Sequence, residues 1–464
     1  MTRGMQSVGW RSGATLAITC GALLCSASAR AQDSEQKTGS VIPKVACVKA
    51  PQQTYALYLP AAYKADKKWP VLFCFAPDGV GQTPVNLLKN AAEKYGYILI
   101  GSNNAKNGPG EPIIEAIGAL WDEANTRYSS DPRRSYATGF SGGARMAMLM
   151  AVKHTDHFAG VIPCGAFVPG GPDEFPQNFD LAVYGLVGRE DPNYAEFEAV
   201  ENKLGDRIPA LWIQVFDGTQ QWPSAAQMGR ALEFMQTAAM QKKMIPEDGS
   251  ALKAFVASSL DAAQARAKDE PMLAMRDYRQ IAKLFPGVEG AASAKERADA
   301  LAKTPEVQAV MEQRATLAAN TARLGDKDDA AFDEAMAWFR KTAAAGDAAG
   351  REARQAIGMA YMQFQAQGVE AIKSKDYEKA AFVFDRACKI APQDASAAYN
   401  AACAYSLLGK KPEALRLLKA AVTAGFNDAD HIAKDTDLDN IRNEPEYQAI
   451  VKGIKPAVFE QKID

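Results

Sequence analysis

The stretch Ser135-Tyr136-Ala137-Thr138-Gly139-Phe140-Ser141-Gly142-Gly143-Ala144 decides the fold of this 464-residue chain. Residues 135–140 have the composition of a buried strand, and residues 142–153 have the apolar spacing of a helix. The glycines between them predict a turn too tight for side chains, which raises the Ser141 hydroxyl above the sheet as a nucleophile. A glycine-rich structural turn is the alternative interpretation.

Short apolar runs alternate with amphipathic stretches on both sides of this junction, a pattern typical of a largely parallel α/β sheet. The spacing predicts strands at residues 71–76, 97–101, 135–140, 160–166, 182–187 and 211–216. Helices are expected between them, at residues 85–95, 112–127, 142–153, 194–204 and 224–241. We therefore expect a sheet that is covered by helices on both faces.

Further motifs accompany the serine, at residues 69–79, 101–104, 188–191 and 216–223. With them, the segment 45–241 resembles the α/β-hydrolase superfamily, and more closely its branch of secreted esterases and polyhydroxybutyrate-depolymerase-like proteins. The resemblance implies an α/β-hydrolase fold and a serine ester hydrolase. A small ester-like or polymer-derived ligand is then the expected occupant of the pocket.

The resemblance also assigns roles to individual residues. Ser141 is the implied nucleophile, and Asp191 is the implied acid, because it follows Ser141 in the chain order of this fold. The oxyanion hole is expected to use the N–H of Gly142 and one from Asp78 or Gly79. An exposed loop carboxylate is the alternative for Asp191.

Three further residues are candidates for substrate binding. Asn103 and Asn104 follow the end of a strand on the side of the sheet where ligands bind, although asparagine also stabilises loops. Trp222 belongs to the last motif of the resemblance.

The catalytic histidine is where this sequence departs from the family. Relatives have a Gly-Gly-His-x-Trp-Pro segment after the last strand, and residues 218–223 here read Gly-Thr-Gln-Gln-Trp-Pro, which places Gln220 at the histidine position. A glutamine amide is not a base near pH 7. His154 and His157 are expected at the far end of the helix that begins at the serine. His431 would reach the site only if the helical region folded back over it.

Three hypotheses follow for the function. The preferred one is a degenerate hydrolase that catalyses weakly or not at all and still binds a ligand. The second is an active serine esterase or depolymerase-like enzyme with a replacement base, or with a loop that the resemblance misaligns. In the third, the hydrolase domain only supports the helical region that follows it.

Neither a cofactor nor a metal is expected. Asp435, Asp437, Asp439 and Glu446 match four positions of a calcium loop, but Asn440 replaces its turn glycine. The cysteines show no metal-ligand spacing. Among them, Cys74 and Cys164 fall in apolar runs as buried thiols, whereas Cys388 and Cys403 are candidates for a disulfide in an oxidising compartment.

Residues 1–31 resemble a secretory signal, with Arg3 and Arg11 before an apolar stretch at 14–24 and small residues up to Ala31. We expect cleavage after Ala31, export to the periplasm or the outside, and no membrane span in the mature protein; a retained anchor is the alternative. With 53 basic and 55 acidic residues, the chain has no excess positive charge, so nucleic acid is not expected as a partner.

The C-terminal half has a different composition, rich in Ala, Lys, Glu and Arg and without strand-like runs. Residues 242–250 are predicted to be a linker, 251–345 a helical region and 346–464 a repeat domain. A 34-residue repeat pairs Gly368, Ala380, Phe384 and Ala387 with Ala402, Ala414, Leu418 and Ala421. Residues 361–426 resemble tetratricopeptide repeats, which implies a surface that binds a peptide or protein.

Overall fold

The computed structural model describes residues 37–168, 175–176 and 179–454, so the predicted signal at 1–31 lies outside the described residues. The chain divides into two compact units between Lys303 and Thr304. In the described part of the chain, every helix is too short or too polar to cross a membrane.

An eight-stranded sheet forms the centre of the first unit. The strands are β1 (Val41–Ala46), β2 (Thr54–Tyr58), β3 (Trp69–Phe75), β4 (Ile98–Ser102), β5 (Ser130–Phe140), β6 (Phe158–Cys164), β7 (Ala182–Gly188) and β8 (Ala210–Phe216). Their order is β1-β2-β4-β3-β5-β6-β7-β8; the pairs β1–β2 and β2–β4 are antiparallel and the others are parallel. This arrangement confirms the predicted α/β-hydrolase fold class, with two additional strands at its start.

Helices cover both faces of the sheet. They are α1 (Gln82–Tyr95), α2 (Gly110–Arg127), α3 (Gly142–Lys153), α4 (Tyr194–Leu204) and α5 (Ala225–Gln241). Successive residues of a strand point to opposite faces. Phe73 packs against Trp121 of α2, and Cys164 lies 3.7 Å from Met228 of α5 on the other face. The parallel strands are therefore buried on both sides, as their continuous apolar runs indicate.

Three more helices complete the first unit: α6 (Gly249–Arg266), α7 (Pro271–Leu284) and α8 (Ala291–Leu301). The predicted linker at 242–250 therefore lies inside a compact unit that continues to Lys303. The reason is aromatic packing, because the buried ring of Phe255 in α6 contacts Phe234 of α5 and Trp212 of β8, at centroid distances of 6.0 and 5.7 Å.

Helix α7 also covers the edge of the sheet at its last strand. β8 is the last strand, and Gln280 of α7 accepts a hydrogen bond from the N–H of Ile213 at 2.9 Å and donates to its carbonyl at 3.4 Å. A side chain thus takes the place of a ninth strand and prevents further strand pairing at this point.

The second unit consists of helices. They are α9 (Pro305–Leu324), α10 (Asp329–Ala343), α11 (Ala348–Lys373), α12 (Tyr377–Ile390), α13 (Ala395–Leu407), α14 (Lys411–Thr423), α15 (Ala429–Lys434) and α16 (Pro445–Lys452). From α11 to α14 each helix packs against the next. At Gly368 a Cβ atom would lie 2.4 Å from the Phe384 ring, so a small residue is required there. The assignment to tetratricopeptide repeats stays a prediction.

The structure shows the surroundings of two sets of side chains that the sequence analysis considers. Cys388 and Cys403 are free thiols rather than a disulfide. Asp435, the first position of the calcium-loop pattern, accepts hydrogen bonds from the Asp437 N–H and the Tyr399 hydroxyl. Its carboxylate therefore stabilises the turn around it.

Candidate active site

Ser141 lies at the junction of β5 and α3, with φ 51° and ψ −120°, a backbone conformation that is strained for any residue except glycine. The surrounding chain has no space for side chains. A Cβ at Gly139 would lie 2.2 Å from the Gly143 carbonyl oxygen, and one at Gly143 would lie 2.2 Å from that of Phe75. The Ser141 N–H donates to the Cys164 carbonyl at 2.8 Å. The junction therefore has the geometry of a nucleophile elbow.

Of the three N–H groups predicted for the oxyanion hole, one is already hydrogen-bonded within the protein and two remain. Gly142 is the first residue of α3, where the N–H has no acceptor within the helix. The N–H of Gly79 donates to the Ala76 carbonyl at 3.0 Å, so this group is already used. The N–H of the other candidate in that loop, Asp78, has no acceptor among the described residues.

Asp191 is a buried carboxylic acid on the loop after β7, with 3% of its surface exposed. Its Oδ1 accepts from the N–H of Asn193 at 2.8 Å, while Oδ2 has no donor in the described part of the chain. Desolvation raises the pKa of this carboxyl group, an effect that the Asn193 hydrogen bond opposes and Glu196 reinforces. The exposed carboxylate of the alternative interpretation is thus not what the structure contains.

Gln220 lies beside the serine. Its Nε2 donates to Ser141 Oγ at 3.2 Å. The loop that carries it is attached to the acid loop by a hydrogen bond from the N–H of Glu190 to the Gly218 carbonyl at 2.9 Å. The described contacts therefore join the serine to the glutamine but not the glutamine to Asp191, so the usual chain of serine, base and acid is broken.

Two of the histidines, His154 and His157, lie at the far end of the helix that begins after Ser141. His154 is the C-terminal cap of α3, at the opposite end of a 12-residue helix from Ser141, which is about 18 Å at 1.5 Å per residue. Its ring stacks on Trp121 with centroids 5.2 Å apart, and His157 contacts the same tryptophan. His431 belongs to α15 of the second unit. His154 and His157 are thus packed at the helix end, as expected from their spacing.

Asn103 and Asn104 hold the loop together, and their role in substrate binding stays a prediction. Asn103 accepts from the Gly81 N–H and donates to the Pro43 carbonyl, both at 3.1 Å. Asn104 accepts from the N–H of Thr54 at 2.8 Å and donates to another backbone carbonyl. Both side chains are committed to contacts between segments far apart in the sequence, which fits the alternative interpretation of loop stabilisation.

One aromatic side chain, Trp222, and one polar side chain, Asn107, contact residues of the elbow. The half-buried ring of Trp222 lies 5.3 Å from the Phe140 ring, and its role in substrate binding stays a prediction. Asn107 was missed by sequence reasoning. Its side-chain amide lies directly over Gly142, where a Cβ atom would be 1.7 Å from Asn107 Oδ1.

The sheet order and the elbow define the class of this unit: it has an α/β-hydrolase fold. No family model matches the sequence. A 79-residue segment is 36% identical to a Nocardia uniformis subsp. tsuyamanensis protein named "Putative esterase NocK", covering 17% of this chain and 23% of that protein. An 89-residue segment is 33% identical to a chloroplastic protein of Arabidopsis thaliana, covering 18% of this chain and 27% of that protein. The matches thus span about a quarter of each curated relative.

Solved structures of a serine hydrolase and of esterases are also similar in fold to part of this chain. FphF, a fluorophosphonate-binding serine hydrolase of Staphylococcus aureus, has 12% identity and a TM-score of 0.34, over 44% of this chain and 98% of its own. An esterase of Pyrobaculum calidifontis has 13% identity and a TM-score of 0.35, over 47% of this chain and 90% of its own. A ferulic acid esterase has 16% identity and a TM-score of 0.36, over 44% and 99%.

Proposed function

We propose that this protein is a degenerate esterase, which binds an ester-derived ligand at Ser141 and hydrolyses it weakly or not at all. The observation that carries the proposal is the hydrogen bond from Gln220 Nε2 to Ser141 Oγ. An esterase needs a group there that takes the serine proton. The amide instead donates a hydrogen bond to the serine oxygen and cannot take its proton.

The size of the expected defect follows from what remains. The elbow, the Gly142 N–H and the binding surface are present, and without a complete triad such features retain about 10³- to 10⁴-fold acceleration over water. Working enzymes reach about 10⁶-fold or more. The wild-type protein should therefore react slowly with a fluorophosphonate probe and hydrolyse p-nitrophenyl esters barely above background.

Gln220→His tests the proposal. An imidazole at this position should take the Ser141 proton and raise both the rate of fluorophosphonate labelling and esterase activity. The gain need not reach that of a native enzyme, because a ring misplaced by about 1 Å loses roughly 10²-fold. Gln221→His is the matched control, since it introduces the same imidazole one residue further along and should give no gain.

Other outcomes would contradict the proposal in different ways. Robust wild-type activity that Ser141→Ala abolishes and Gln220→Ala leaves unchanged would show an active esterase with another base. A protein that neither reacts nor binds short carboxylates, before or after Gln220→His, would favour the hypothesis that the hydrolase unit only supports the helices.

Two further parts of the proposal concern the rest of the chain. The pattern at 1–31 supports export, which N-terminal sequencing of the mature protein would test by finding cleavage after Ala31.

The 34-residue repeat and the successive packing of α11 to α14 support a peptide- or protein-binding surface in the second unit. Partners that the full chain captures should be lost when the chain is shortened after Lys303.

A further inference from the structure

Asn107 lies over the residue whose N–H is the first oxyanion donor. A Cβ atom built on Gly142 would be 1.7 Å from Asn107 Oδ1 and 3.1 Å from Nδ2. The amide therefore lies against Gly142, the residue that follows Ser141. Any side chain at position 142 would displace it.

The backbone of Asn107 is attached to the other side of the same hole. Its N–H donates to the Pro77 carbonyl at 2.8 Å, immediately before Asp78, whose N–H is the second available donor. Gly79 brings the two loops together, because its missing Cβ would lie 3.2 Å from the Cβ of Lys106. Asn107 thus bridges the two segments that supply the oxyanion donors.

The Asn107 amide differs from those of its neighbours in having no hydrogen-bonding partner among the described residues. Asn103 and Asn104, in the same loop, use their amides to bind distant backbone groups. Asn107 is exposed, and only its backbone N–H is engaged. Its two amide N–H groups are therefore free to donate to a ligand.

We infer that the Asn107 amide is a third donor of the oxyanion site and contacts the anionic oxygen of a bound ligand, together with the N–H groups of Gly142 and Asp78. The inference rests on the proposed function, because it assumes that the site still binds ligands. The ligands that bring an anionic oxygen to such donors are carboxylates and the tetrahedral adducts that form on a serine.

n-Butylboronic acid is a suitable probe. Ser141 Oγ forms a bond to boron, the serine proton passes to buffer, and the boron becomes a tetrahedral anion with an oxygen facing the donors. Boron-11 NMR distinguishes this adduct from the free trigonal acid, and Ser141→Ala gives the background. Removing one oxyanion donor typically costs about 10²- to 10³-fold in rate, and we expect about 10-fold weaker adduct formation in Asn107→Ala because this donor is exposed.

Asn107→Asp separates a ligand contact from a structural role. Near pH 8 its carboxylate repels the boronate, so we expect a loss of about 100-fold or more, with an unchanged thermal midpoint because the side chain is exposed. Lys106→Ala, in the neighbouring exposed residue, should leave the adduct unchanged. Equal adduct formation in wild type and Asn107→Asp would overturn this inference alone. The absence of a Ser141-dependent adduct in the wild type would overturn both the inference and the proposed function.

Discussion

Two glycines of α11 provide a matched test of how the helices of the second unit pack. At Gly368, a Cβ would lie 2.4 Å from two ring atoms of Phe384, whereas ordinary contacts lie at 3.4–4 Å. At Gly358, ten residues earlier in the same helix, a Cβ would meet nothing within 4 Å. Replacing each with alanine therefore makes the same chemical change in two different environments.

The expected effects differ by the cost of overpacking at Gly368. Both alanines gain about 1 kcal/mol in helix propensity. At Gly368 the Phe384 ring must move by about 1 Å, and overpacking of this kind typically costs about 1–3 kcal/mol. Phe384 is almost fully buried, which limits how far it can move. We expect Gly358→Ala to stabilise the unit and Gly368→Ala to be less stable than Gly358→Ala by about 1–3 kcal/mol.

Hydrogen exchange of the full-length protein, read on peptides from α11 and α12, measures this difference locally. A difference of 1–3 kcal/mol corresponds to about 5- to 150-fold in the exchange rate of amides that open together. The protection of the first unit serves as an internal control. Equal protection in the two variants would refute the close approach of α11 and α12 at Gly368, and with it the packing reason for the small residue in the repeat.

Two predictions concern the first unit. Phe255→Ala should reduce the free energy of unfolding by about 3–5 kcal/mol, because the ring is buried against the sheet. Urea denaturation followed by the fluorescence of nearby Trp212 measures this loss. A loss below about 1 kcal/mol would indicate that α6 does not belong to the core of the first unit. Asp191→Asn should raise the thermal midpoint at pH 7. Desolvation raises the folded-state pKa of Asp191, so the wild type loses stability as the pH rises through that pKa, and the advantage of the variant should shrink as the pH falls towards about 4. A pH-independent difference would contradict this explanation.

The sequence was sufficient for the elements next to the elbow. The bounds predicted for α3 and α4 are those observed, because glycines at one helix start and a loop asparagine at the other accompany strong apolar periodicity. Strands β1 and β2 were missed: every residue of β1 is at least partly exposed, whereas β2 is buried over four of its five residues and its burial does not explain the omission. Periodicity detects burial within a segment, and a solvent-facing edge strand has little of it.

The placement of α6 and α7 and the position of Asn107 depend on contacts between distant residues, which a local sequence pattern does not predict. The helical periodicity of α6 and α7 was recognised, but it does not specify a partner, and the packing of Phe255 and Gln280 on β8 places these helices in the first unit. Similarly, Asn107 resembles its neighbours Asn103 and Asn104 in sequence. The hydrogen bond from its backbone to Pro77 gives it a different position.

The chemistry of the site follows from which of its groups donate and which accept protons. The group bonded to Ser141 Oγ is a donor, the Gln220 amide, and the Asn107 amide lies against Gly142, the next residue along the chain. The buried acceptor, Asp191 Oδ2, has no donor among the described residues. Hydrogen-bond donors can hold the anionic oxygen of a ligand. An attacking serine instead needs an acceptor for its proton, and without a histidine Asp191 has no base to orient. Binding and hydrolysis therefore depend on different residues here, and a single imidazole at position 220 should restore the second without weakening the first.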